Sequence, residues 1–252
     1  PYLFNQYRRE GEPPPQGPLP EFLSERRIPH NNPNTHSAKG EGKYNNPIII
    51  NEYAWLWLNR DGTTTTLTDR IYDVTFGNDL AKNERMEIYN HHLAMLTEYW
   101  RAYRTSAGVL HFCGLAYSRP EEPRGQTSDH FIDIANLTYE PRFLEYVKPA
   151  FSPVGLMIDF WEKKLNGGVD MSFDIFIIND LNEDFQGKLK FYIENDSGIV
   201  TSKEQNITLQ AVDRSILNYG LMIPEENGTY RIVAEIEVKG EVVRSVRKFE
   251  VE

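Results

Sequence analysis

A single cysteine, Cys113, excludes an internal disulfide and leaves the redox compartment open. Its surroundings, "GVLHFCGLAYS", are apolar, which predicts a buried small hydrophobe rather than a nucleophile. Basic clusters are also missing. The formal charge of −10 is spread over scattered acids and bases, so nucleic acid is not an expected partner. No apolar run approaches the roughly 18 to 20 residues needed to cross a bilayer, and the opening "PYLFNQYRRE" lacks signal-peptide anatomy. A start at Pro1 without Met is expected of a processed product or an excised piece. His91 and His92 are adjacent on a predicted helix and point apart, so they cannot chelate together, and Glu87 with His91 reads as a solvated pair. The contiguous run Ser128-Asp129-His130 is not a triad, because triads assemble in space. Without a phosphate loop or dinucleotide fingerprint, neither metal nor cofactor is expected. Sequons at Asn136, Asn195, Asn206 and Asn227 match a short pattern that decides nothing alone.

Against these absences stands an ordinary globular balance, 40% hydrophobic and 25% charged over 252 residues. Residues 5 to 46 are dense in Pro, Gly, Asn and charge and predict a long loop folded over something. "PIIINEY" then reads as a fully buried strand of the parallel-sheet type. The Thr-rich "NRDGTTTTLTD" predicts a weakly structured turn. In "NERMEIYNHHLAMLTEYWRAYRTS" the apolar residues fall at helical spacing: Ile88, Met95, Tyr99 and Ala102 mark one face, widened by Leu93, Leu96, Trp100 and Tyr103. "AGVLHFCGLAYS" reads as a second buried strand, which completes a βαβ unit, and "YEPRFLEYVKPAF" as a short helix. From about Ser152 the pattern changes to strand-like pieces with period-two apolar residues between turn signals, around seven in about a hundred residues, as in an immunoglobulin-like sandwich.

Alternation along the first strand puts Ile48, Ile50 and Glu52 on one face, with Ile49 and Asn51 on the other. In a closed barrel that face would look inward and the acid would stand at the carboxyl end of its strand, where (β/α)8 enzymes place their chemistry. The alternative is a strand-end acid paired with an Arg. "PIIINEYAW", the helix ending "TEYWRAYRTS" and "AGVLHFCGLAYS", followed by "YVKPAFSPVGLMIDFW" and the "NDL" turn, resemble the end of the barrel and the exit into a sandwich in family 2 of the retaining glycoside hydrolases, that of β-galactosidases, β-glucuronidases and β-mannosidases. The resemblance covers about residues 47 to 195. It implies the carboxyl-terminal segment of a (β/α)8 barrel over residues 1 to 151, then an immunoglobulin-like β-sandwich over residues 152 to 252, hence α/β plus all-β.

Carried onto this sequence, the resemblance implies that Glu52 is the nucleophile that forms a glycosyl-enzyme ester. A second carboxyl about 5 to 5.5 Å away must act as acid and base, and none is identifiable in this chain. The resemblance further implies a carbohydrate partner, a secreted or periplasmic location, and Tyr2 as a hydrogen-bond partner of the nucleophile. "Asn51-Glu52" also fits the acid/base position of the same clan, and is less favoured because only one strand follows before the sandwich. Trp55 is a candidate sugar platform and His111, Tyr117, Arg119 and Asp129 are candidate hydroxyl-binding groups, each with local core or loop packing as the plainer reading. A whole barrel typically needs roughly 250 residues. The chain is therefore expected to be inactive alone and to pair with the missing amino-terminal part of an enzyme or with another copy. A non-catalytic carbohydrate- or protein-binding scaffold is the alternative; exposed aromatic residues on one sandwich face would favour it.

Overall fold

A computed structural model describes residues 49–77, 79–103 and 107–252; Tyr2 and the predicted loop over residues 5 to 46 lie outside them. Two parallel strands, β1 (Ile49–Ile50) and β2 (Gly108–Val109), pair Ile49 with Gly108 and Ile50 with Val109. Between them run a short helix, α1 (Asp69–Thr75), and a long one, α2 (Lys82–Tyr103). The βαβ unit is thus present, but two expectations fail. Each strand is two residues long, and neither is fully buried: Ile49 is 57% exposed, Gly108 and Val109 are half-buried, and Leu110 just beyond β2 is 57% exposed. The face assignment also inverts, because Ile50 and Val109 pack beneath α2 while Ile49 is left open. A two-stranded sheet covered by one helix can bury only one face, and here the helix takes that of Ile50.

The turn predicted at "NRDGTTTTLTD" is more ordered than its composition suggests. Leu58 bridges Thr64, Thr68 Oγ1 donates to the Trp57 carbonyl (2.7 Å), and α1 starts at Asp69, held by Arg124. Threonine hydroxyls substitute here for the local backbone pairing that hydrophobic periodicity would have announced. A hairpin of β3 (Phe131–Asp133) and β4 (Thr138–Tyr139) and a π-type turn (Phe143–Val147) running into Lys148–Ala150 complete this half.

The sandwich comprises β5 (Val154–Ile158), β6 (Lys164–Leu165), β7 (Asp170–Asn179), β8 (Phe185–Asn195), β9 (Gly198–Leu209), β10 (Asp213–Met222), β11 (Gly228–Val238) and β12 (Glu241–Val251). They form a three-stranded sheet ordered β10-β7-β5 and a five-stranded sheet ordered β6-β12-β11-β8-β9. Alternate residues fill the space between them: Leu156 and Ile158, Ile175 and Ile177, Leu189 and Phe191, Ile232 and Ala234. This is an immunoglobulin-like β-sandwich. Among the described residues no closed barrel is formed.

Strands β5 and β7 are buried on both faces, and the second face explains why the two halves hold together. Met157, Phe176 and Ile178 turn away from the sandwich interior and share a core with Leu93, Leu96, Tyr99, Trp100 and Ala102 of α2. Across the same contact Glu98 pairs with Arg247 (2.8 Å), both 3% exposed in their side chains, and accepts from Ser245 Oγ (2.7 Å). Burial raises the Glu98 pKa, while Arg247 and Ser245 stabilise the carboxylate. The Arg247 guanidinium also stacks on Trp161, 4.4 Å from its ring centroid. At the end of α2, Arg101 donates to the Ala150 and Ser152 carbonyls and pairs with Asp180 (2.9 Å), and Arg214 of β10 donates to the Ala102 carbonyl. These bonds satisfy carbonyls that a helix end and a chain turn leave unpaired.

Candidate functional site

The candidate site is built where the chain leaves β1. Tyr53 turns into the core, its hydroxyl 2.6 Å from Thr97 Oγ1, which in turn donates to the Leu93 carbonyl of α2. Ala54 takes a positive φ of 54°, so the backbone departs from the strand direction two residues beyond Glu52. Leu56, Trp57 and Leu58 then sink into a separate cluster with Ile71, Tyr72 and Tyr89. Glu52 remains exposed and makes no hydrogen bond or ion pair with the described residues.

Trp55 is half-buried and stacks on Trp57 (centroids 5.0 Å apart, planes at 26°). Trp57 Nε1 donates to the Phe112 carbonyl (3.1 Å), tying this segment to the one that follows β2, where the Phe112–Cys113 peptide is cis. Cys113 is free and only partly buried, against expectation, because β2 ends four residues earlier and the chain runs on as a loop. Its thiol pKa is pushed up to about 11, first by burial and then by the carboxylates of Asp129 and Glu52, which places both acids within electrostatic reach of it.

His111 and His130 meet Nε2 to Nε2 at 2.8 Å, so one ring donates and the other accepts. Tyr89 stacks on His130 (4.8 Å), Phe143 packs on its ring (4.5 Å), and Tyr53 presents an edge to His111 (6.1 Å). Burial lowers the His111 pKa to about 4 and that of His130 well below the ordinary range, so both rings are neutral at pH 7.

Asp129 does not face an open mouth. Its side chain is fully buried, bonded to Arg60 Nη2 (2.7 Å) and Nε (3.3 Å) and to the backbone N–H groups of Ala116 (3.1 Å) and Phe131 (3.0 Å), so it straps the loop after β2 to the rest of the half. Tyr117, 51% exposed, accepts from the Gln126 N–H (3.4 Å), and Arg119 is exposed on the same loop with its own N–H given to Asn59. The structure therefore gathers Glu52, Trp55, His111 and Asp129 around the ends of β1 and β2. It leaves Tyr117 and Arg119 on the rim. His130 and Arg60 are the residues that sequence reasoning passed over, and only a spatial pairing identifies them.

On α2, His91 Nε2 lies 3.0 Å from the Val246 carbonyl and His92 Nδ1 lies 2.7 Å from the Ile88 carbonyl. Glu87 is not a solvated partner of His91: Tyr146 (2.7 Å), Arg142 (3.1 Å) and Lys248 claim it, because α2 is covered on that side by the Phe143–Val147 turn and β12. No group of three or more His, Cys, Asp or Glu among the described residues is placed to hold a metal, and no described helix is long and apolar enough to cross a membrane.

No protein-family model and no curated protein matches the chain. Among solved structures, a β-glucosidase from Listeria innocua in complex with glucose superposes on 40% of this chain at 18% identity and a TM-score of 0.33, and the chain spans 16% of that enzyme's length. The CARDB domain of PF1109 from Pyrococcus furiosus matches 39% of this chain and 94% of its own at 16% identity, TM-score 0.33. The alkylpurine DNA glycosylase AlkC from Pseudomonas fluorescens matches 44% of this chain and 34% of its own at 13% identity, TM-score 0.31. Likenesses at this level carry no inference about function.

Proposed function

We propose that this chain is a non-catalytic scaffold in which an immunoglobulin-like sandwich holds a βαβ unit rigid and presents its open face to a protein complement. The observation that carries the reading is the one-sided burial of β1 and β2. Ile50 and Val109 are packed against α2, whereas Ile49 and Leu110 stand 57% exposed on the other side, next to two strand edges that are unpaired among the described residues. Further βα units, from the remainder of an enzyme or from a second copy, would cover such a face. Leu110→Asp tests this: it is expected to leave the fold intact and to abolish binding to such a complement in size-exclusion chromatography, and unchanged binding would overturn the reading.

A second reading, a segment of a retaining glycoside hydrolase, is favoured by one observation. Glu52 is a solvent-facing carboxylate just past the carboxyl end of a parallel strand. In that reading it attacks the anomeric carbon, and the complement supplies the acid/base carboxyl, because Asp129 is fully committed to Arg60. The pure chain is expected to leave aryl glycosides intact. Hydrolysis by the chain together with its complement, abolished by Glu52→Gln, would establish the second reading at the expense of the first.

A further inference from the structure

The aromatic residues of the sandwich are nearly all buried: Phe160, Phe173, Phe176, Phe191, Tyr192, Tyr219, Tyr230 and Phe249 are each less than 8% exposed. Of the two half-buried exceptions, Phe185 packs on the sandwich core, which leaves Trp161. It is half-buried and forms a wall of a cleft of about 280 Å³ with Asp159, Glu162, Met171 and Ser172, where the last turn of α2 meets the end of β5. We propose that this cleft binds a single neutral saccharide ring.

Three features of the cleft support this. The first is a fixed aromatic wall. Trp161 Nε1 donates to Asp159 Oδ1 (2.6 Å), the Arg247 guanidinium lies against its ring, and Tyr99 presents an edge to it at 6.3 Å. A ring held in this way offers a platform to the C–H face of a sugar without first losing rotamer freedom. The second is the set of acceptors. Asp159 Oδ2 already accepts from Tyr103 (2.8 Å), which anchors the carboxylate to α2, and each of its oxygens has a lone pair left. Glu162 and Ser172 are exposed beside it, so the hydroxyls of a ring would find acceptors around an apolar wall. The third is size, since the volume lies just below the range for drug-sized pockets and suits one ring rather than a chain of them. An organic cation fits less well, because the Trp161 ring already has a guanidinium stacked on it.

The proposal is independent of the docking surface at β1 and β2, and either can fail alone. Its test is calorimetry and saturation-transfer NMR of the full chain with methyl glucosides, galactosides and mannosides, and with tetramethylammonium as the competing cation. Saturable millimolar binding of at least one glycoside is expected, weakened about tenfold in Trp161→Ala, as when a stacking ring is lost. Should that variant fail to fold, Glu162→Gln and Ser172→Ala, both at exposed positions, carry the test, and at least one must weaken binding. Absence of saturable binding, equal affinity in the folded variants, or preference for tetramethylammonium would each overturn the proposal.

Discussion

At the level of single residues, the Glu98–Arg247 pair and the histidines dominate what can be predicted. Removing one partner of a buried ion pair strands the other charge, so Arg247→Ala should cost about 3 to 5 kcal/mol, measured by urea denaturation. Glu52→Gln touches nothing the fold uses and should change stability by less than about 0.5 kcal/mol. The histidines make the protein acid-sensitive. Burial lowers His91 to about 3, His92 and His111 to about 4, and His130 well below its ordinary range, against about 6.5 in an unfolded chain. Between those values the unfolded state binds more protons than the folded one, so stability is complete above about pH 6.5 and falls as the pH drops towards 4. Thermal midpoints at about pH 5 should therefore lie below those at about pH 7.5, and the slope should flatten in a variant with His111 and His130 both replaced by Asn. Little of this was legible in the sequence. His130 stood in a run dismissed for being contiguous, and its partner is nineteen positions away, a pairing that only the fold creates.

At the level of elements, periodicity located what periodicity governs. The apolar stripe of "NERMEIYNHHLAMLTEYWRAY" became α2, with Leu93 and Ala102 fully buried on it, and six of the strand-like pieces became long strands or β5. Strand β10 escaped notice because Ile216 and Met222, exposed beside the inward-facing Leu217 and Leu221, blur the alternation of "DRSILNYGLM", and its pairing along β7 holds it in place instead. Helix α1 was hidden by threonines whose hydroxyls bond locally. The strand face at Glu52 was misassigned because alternation fixes which residues share a side, and only a packed neighbour decides which side is the interior. Two substitutions probe these elements. Leu93→Ala, in the core shared by both halves, should cost about 2 to 5 kcal/mol in denaturant unfolding. Gly167→Ala would bring a Cβ within 2.8 Å of the Pro224 carbonyl oxygen and 3.0 Å of that of Glu225. Because both contacts are with backbone, it should destabilise by about 1 to 3 kcal/mol.

At the level of the whole molecule, the change of pattern near Ser152 announced the strands of the sandwich, but not how they are bonded to the residues before them. Phe176 and Ile178 sit in a run, "FDIFIIN", whose apolar residues on both sides of the strand were the one available sign that β7 is covered twice. The shared core has a consequence for how this polypeptide can be divided. A cut before β5 would leave each piece with a raw apolar face, Met157, Phe176 and Ile178 on one and Leu96, Tyr99 and Trp100 on the other, and would separate Arg247 from its acid. Neither fragment should stay in solution when expressed alone, whereas co-expression should recover both as one particle. A lineage that exchanged this sandwich for another would have had to carry the long helix along with it.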